Sequence, residues 1–219
     1  MSMNRFEDKI TVDDILEETL DSLGITVTKS SKRQLIEYIT GLLRWNKRTN
    51  LTGASDEAAL IRGPLFDALT LIPVLESSGT LVDVGAGGGL PGIPAALIRG
   101  NVDITLVEPR SRRATFLKHI CHKLSLNLEV VQCKDAELKS AQWHGAVAQA
   151  VWSPKEWIPR GLRLVHNDGV VYVLSSTEVT KDIVPVGAVI EKSTFVERPM
   201  DKAPRYTARI RNGNSLVPR

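Results

Sequence analysis

The sequence is short of cysteine and of net charge, and it has no apolar run long enough to cross a bilayer. Only Cys121 and Cys133 carry thiols. Two cysteines make no disulfide framework, so a reducing, cytoplasmic setting is expected. The start from Met1 to Asp8 is polar and mixed in charge. With no spanning run behind it, neither a transmembrane helix nor a secretory signal is expected. The net charge is only +3 and the pI about 8.9. Such a balance tolerates a nucleic-acid partner without demanding one. Internal repeats and low-complexity segments are absent too, which excludes solenoids and disordered arrays. His119 and His122 have metal-ligand spacing around Cys121, but no complete ligand set accompanies them, so no metal is expected.

What is present is an ordinary globular composition, 42% hydrophobic and 24% charged over 219 residues. That is room for one α/β domain and a short appendage. Residues 1–78 read as a helical extension and 79–212 as an α/β domain. Residues 213–219 read as a linker and tag remnant, because Leu216-Val217-Pro218-Arg219 is what thrombin leaves after cutting.

In the first third, Thr11 and Asp14 form a capping-box pattern ahead of Ile15, Leu16, Leu20 and Leu23, with Gly24 as a stop. Ser31 and Gln34 open a second expected helix, with Leu35, Ile36, Ile39, Leu42 and Leu43 on its apolar face and Trp45 at its end. The polar run Asn46 to Gly53 follows. Two short helical pieces come next, one near Ser55 and one started by Pro64 in the first turn.

From Thr80 the pattern alternates. Strands are expected at 81–84, 104–107, 128–131, 145–149 and 170–174, and helices at 91–98, 112–124 and 154–164. Residues 186–190 and 206–210 read as a closing antiparallel pair. Alternation at this spacing predicts a mostly parallel sheet covered on both faces.

The sharpest motif is Asp83-Val84-Gly85-Ala86-Gly87-Gly88-Gly89-Leu90-Pro91-Gly92. It follows the first strand, where an open α/β sheet binds ligands. Glycines there allow a tight turn and close backbone approach. The dinucleotide fingerprint G-x-G-x-x-G fails because Leu90 stands at its last position. Asp83 would repel a pyrophosphate and attract the amino group of a methionine moiety. Glu108, ending the second strand, is placed for two ribose hydroxyls, a feature both cofactor classes share. Asp135-Ala136-Glu137, after the third strand, lies either where an adenine edge would sit or at an acidic helix start. S-adenosyl-L-methionine is therefore the favoured cofactor over a nicotinamide dinucleotide.

Taken together, Asn50-Leu51-Thr52, Arg62, Asp67, the run Asp83 to Pro94 and Arg112-Arg113-Ala114-Thr115-Phe116-Leu117 resemble the RsmG family, also called glucose-inhibited division protein B. The resemblance spans roughly Leu35 to Val173. It implies a Rossmann-like class I methyltransferase, with a seven-stranded sheet flanked by helices and a helical N-terminal extension. It implies a cytoplasmic enzyme that methylates N7 of a guanine in 16S ribosomal RNA, on the RNA or the small subunit, with no obligate protein partner. By motif it places cofactor contacts at Gly85, Leu90, Ala136, Glu137 and Gln149. The physical reading adds Asp83, Gly87, Gly89 and Glu108.

The sequence departs from that pattern at three points. Arg62-Gly63 and Asp67-Ala68 stand where the family has Arg-His and Asp-Ser. Ala148-Gln149 stands for Ser-Arg, and Leu174-Ser175-Ser176 for Leu-Lys-Gly. Two cations of the expected cleft are thus missing, each worth about 1–3 kcal/mol if it touches a ligand.

No Ser-His-Asp or Cys-His set is found, and N7 methylation needs none, because the lone pair attacks directly. No catalytic side chain is assigned. Lys47, Arg48, Arg62, Arg112 and Arg113 are candidate RNA contacts, with Arg110 beside them, against the alternative of solvated faces. Trp152 and Trp157 could stack a base or pack in the core. Competing readings are a methyltransferase with a small-molecule or protein substrate, a nicotinamide oxidoreductase, and a non-catalytic binding protein that keeps the fold.

Overall fold

The computed structural model describes residues 10–213. The polar start and the thrombin-like tetrapeptide lie outside them. Among the described residues no helix is long and apolar enough to cross a membrane.

Helix α1 (Val12–Ser22) begins on the expected capping box, in which Thr11 and Asp14 satisfy each other's backbone N–H. Helix α2 (Lys29–Thr49) differs from the expectation at both ends. Its cap is Thr28, whose Oγ accepts from the Ser31 amide at 3.0 Å, so Ser31 is already helical. Lys32, in the first turn, reaches Asp13 and Glu17 of α1, both at 2.7 Å. The helix then continues past Trp45 and ends at Asn50, whose left-handed backbone (φ 51°) stops it. Lys47 and Arg48 therefore project from a helix rather than a loop.

Next come α3 (Glu57–Leu60), a π-helical turn (Ile61–Leu65) and α4 (Phe66–Leu69), running on without a break. Pro64 lies inside the wide turn, not at a helix start. A π-turn skips the hydrogen bond that proline cannot make.

Strands β1 (Gly79–Val84), β2 (Val102–Val107), β3 (Glu129–Val131), β4 (Trp143–Ala148) and β5 (Val165–Ser175) are parallel. They alternate with α5 (Gly92–Ile98), α6 (Ser111–Lys123) and α7 (Pro154–Leu164). The closing hairpin, β6 (Ala188–Glu197) and β7 (Pro204–Asn212), is longer than its apolar stretches suggested. Strand β7 runs antiparallel between β5 and β6, giving the order β3-β2-β1-β4-β5-β7-β6. The chain reverses direction across the sheet between β1 and β4, which opens a crevice at their carboxyl ends.

The sheet's two faces bury different apolar sets. Leu81 and Leu106 join Leu16, Tyr38, Leu42 and Phe116 beneath α1, α2, α5 and α6. Val82, Val84 and Val171 pack under Trp157 and Ile158 of α7. Strand alternation puts Asp83 on the face of Leu81, below α5.

Candidate functional site

The glycine run turns the chain out of β1 and into α5. Gly85, Gly87 and Gly89 all take positive φ (77°, 54° and 88°). The Gly85 and Ala86 amides both donate to the Val107 carbonyl, at 2.8 and 3.0 Å, tying the loop to the end of β2. Glu108 accepts from Gly87 N at 3.0 Å and from Arg110 N at 2.8 Å. Each of its oxygens keeps a further lone pair.

Asp83 lies behind the loop and is wholly buried. Its Oδ2 accepts from Gly92 N at 2.8 Å, while Oδ1 has no partner. Burial pushes its carboxyl up to about 8, against the opposing Gly92 bond, and the nearby Glu108 charge adds to the rise.

The helical extension supports the loop from the other side. Tyr38 is fully buried in α2 and donates its hydroxyl to the Gly88 carbonyl at 2.7 Å. Asn46 Oδ1 accepts from Leu51 N and Thr52 N at 2.7 and 2.9 Å. That bond pair holds Asn50-Leu51-Thr52 against the glycines. Removing the Tyr38 hydroxyl strands a buried carbonyl, so Tyr38→Phe is expected to lower stability by about 1–2 kcal/mol. Urea denaturation measures it. An unchanged midpoint would mean the loop does not depend on this bond.

A cleft of about 280 Å³ opens in front of the loop, walled by Leu51, Gly85, Gly87, Leu90, Arg113 and Gln149. A second cleft of about 400 Å³ adjoins it and shares Gln149 and Ala150. Asp67, Trp152, Ser175 and Arg205 line this one. Asp67 is clamped by Arg198 at 3.0 Å and Arg205 at 2.7 Å. Gln149 donates to the Pro64 carbonyl at 2.9 Å, so the π-turn is fastened to the end of β4. Its Oε1 is buried without a partner.

Of the expected cofactor residues, Gly85, Gly87, Leu90 and Gln149 thus line the first cleft. Gly89 faces the core, where a Cβ would lie 2.4 Å from Ile93. Asp83 and Glu108 are buried behind the loop. Ala136 and Glu137 are exposed on the 3-10 turn after β3 (Asp135–Glu137), where Glu137 accepts from Lys134 N.

Among the expected RNA contacts, Arg113 lines the cleft and donates to the Asn50 carbonyl at 2.8 Å. Arg62 pairs with Glu18 at 3.6 Å. Lys47, Arg48, Arg110 and Arg112 are exposed. Trp157 is buried and donates to the Tyr172 carbonyl. Trp152 stacks on it at 5.6 Å, with Arg160 above. His119 packs on Trp45, Cys121 is buried, and no group of three metal-ligating side chains converges among the described residues.

Sequence reading missed Tyr38, Asn46 and the arginine clamp on Asp67. Tyr38 was detectable, standing three residues from Leu35 and four from Leu42 on the same stripe. Nothing local marks Arg198 as a partner of Asp67, 131 residues away.

The model of the family described as rRNA small subunit methyltransferase G matches residues 31–205. The chain belongs to that family. The Ribosomal RNA small subunit methyltransferase G of Anaeromyxobacter dehalogenans (strain 2CP-1 / ATCC BAA-258) is 31% identical over 203 residues, covering 89% of this chain and 94% of its own length. Among solved structures, TrmN from Thermus thermophilus superposes with a TM-score of 0.55 at 16% identity, over 76% of this chain and 53% of that one. M. jannaschii TYW2, in complex with AdoMet, gives 0.53 at 11% identity, over 68% and 82%. At such identities these two share only the fold. The seven-stranded order and flanking helices of this family member are those of a Rossmann-like class I methyltransferase, as its sequence implied.

Proposed function

We propose that this protein transfers the methyl group of S-adenosyl-L-methionine to N7 of a guanine in 16S ribosomal RNA, acting in the cytoplasm on the small subunit or its RNA. The observation that carries the reading is the pair of clefts meeting at Gln149 and Ala150. One is walled by the glycine loop and suits a cofactor. The other takes the acceptor base.

The residues present fit this donor. Gly85 and Gly87 let backbone approach the ligand where any Cβ would intrude. Glu108 braces the Gly87 turn of the cleft wall, Ala136 and Glu137 bound the adenine end, and Gln149 stands between donor and acceptor. Asp83 and Gly89 act from behind, by fixing the loop. When bound, the sulfonium supplies an electrophilic methyl carbon. The chain's own part is alignment, because N7 carries a free lone pair and no proton has to be removed. Holding both reactants in line contributes up to about 7–11 kcal/mol. Asp67 lies in the acceptor cleft, but Arg198 and Arg205 already occupy its charge, so its role is to shape the wall. The guanine leaves its stack to enter.

The test is methyl transfer from labelled donor to small subunits, or their RNA, from a strain lacking the family enzyme. Label on N7 of one guanine is the expected result. Calorimetric donor binding without label would favour a paralogue with another substrate or a non-catalytic role. Gln149 and Ser175, where the family carries cations, give that alternative its footing. Neither label nor binding would sink both readings.

A further inference from the structure

Among the described residues, two groups of arginines stand in contrast. At the β7 end of the sheet, Arg198, Arg205, Arg209 and Arg211 are all engaged by Asp67, Glu76, Glu191 or Asp201. Arg160 and Arg163 of α7 are held by the Asp135 carboxylate and by the Asp135 and Leu138 carbonyls. Around the C-terminus of α2 and the N-terminus of α6, Arg44, Arg48, Arg110 and Arg112 are exposed, and no side-chain bond holds any of them.

Between those two helix ends runs an open groove of about 320 Å³, lined by Trp45, Arg48, Thr49, Arg112 and Thr115. Its lining contains no acid. Trp45 is half-buried and propped by Phe116 and His119, with ring centroids 5.6 and 5.3 Å away. The groove thus offers a fixed aromatic ring between two unpaired guanidiniums. That chemistry fits a base on the ring and phosphates on the arginines.

The groove also abuts the cofactor cleft. Thr49 and Arg112 belong to the groove, Leu51 and Arg113 to the cleft. Arg113 donates to the carbonyl of Asn50, the residue between Thr49 and Leu51.

We infer that the Trp45 groove is a second RNA-docking site, which takes an unpaired nucleotide of the substrate RNA away from the methylated base. The inference rests on the proposed RNA substrate. It adds a stacking platform, Trp45, and assigns Arg48 and Arg112 to the phosphates beside it. Unpaired nucleotides suit it because a base within a helix has no free face to stack.

The experiment is fluorescence anisotropy of a short dye-labelled single-stranded RNA against the full chain, over a range of salt. Trp45→Leu is expected to weaken binding about tenfold or more, and Trp45→Phe to restore most of it. Because Trp45 also packs on Phe116, the exposed pair provides an independent arm. Arg48→Ala with Arg112→Ala is expected to make the slope of log K against log salt shallower by about 1.4, for two phosphates on a single strand.

Binding within twofold of the parent for all variants, with an unchanged slope, would overturn the site. So would variants that bind naked RNA normally but lose the assembled subunit, since the groove would then hold a protein. If Trp45-dependent RNA binding persists where no methyl is transferred, the groove stands and the proposed activity falls.

Discussion

Gly89→Ala is expected to destabilise the protein by about 2–5 kcal/mol and to weaken donor binding at least tenfold. Two costs add. The backbone there has φ 88°, which a residue with a Cβ adopts at about 1–2 kcal/mol. The new methyl group would also lie 2.4 Å from Ile93 Cδ1 and 3.3 Å from Leu117 Cδ2. Both neighbours are completely buried, so neither can swing into solvent. Overpacking of that kind costs roughly 1–3 kcal/mol. Any relief must come from the loop, because the Gly89 carbonyl accepts the Ile93 amide that starts α5. Gly87→Ala is the control for stability alone, because Gly87 also walls the donor cleft. Its φ is 54° and its Cβ would meet nothing nearer than 3.6 Å, so only the smaller backbone cost is expected. Urea denaturation and calorimetry with S-adenosyl-L-methionine measure the two effects. Equal losses of stability from both variants would show that the clash with Ile93 is relieved and that backbone conformation alone matters.

Asp83→Asn is expected to change how stability responds to pH. In the fold the Asp83 carboxyl keeps its proton to about pH 8, since burial penalises the charge. In the unfolded chain it loses that proton near pH 4. Between those values the folded state binds one more proton than the unfolded state. The contribution of Asp83 is therefore complete below about pH 4 and declines as pH rises through about 8, at roughly 1.4 kcal/mol per pH unit. Asparagine has no such slope. Denaturation of both proteins at pH 5 and pH 8 should show the gap moving in favour of the variant by on the order of 4 kcal/mol. A gap that does not move would mean that Asp83 is already ionised in the fold, with Oδ1 as well as Oδ2 solvated or bonded.

The two variants probe opposite kinds of legibility. The glycine loop was readable because its cause is local: a strand, glycines at positions of positive φ and a helix start follow one another within ten residues. The capping box of α1 was readable for the same reason, with Thr11 and Asp14 only three apart. At α2 the local signal was ambiguous. Ser31 read as the cap, but Thr28 three residues earlier takes that place and Ser31 is already helical. Pro64 read as a helix start because proline favours that position. The π-turn that absorbs it is continuous with α3 and α4 and tied to Gln149, 85 residues on.

By itself the sequence determined the fold class and the place of the crevice, encoded in short-range periodicity and in one glycine run, while the resemblance to a family rested on motifs spread from Asn50 to Leu117. Only the tertiary structure decided the fate of the charges. Asp83 looked like a ligand for an amino group, yet alternation along β1 turned it beneath α5, where no water reaches it. Asp67 was legible only as a motif residue, yet Arg198 and Arg205 close on it from the far end of the chain. Arg48 and Arg112 carry the same charge as Arg209 and Arg211, and sequence gives no reason to separate them. Their difference is a matter of which acids the fold brings within reach, and electrostatic pairing acts through space with no regard for position along the chain.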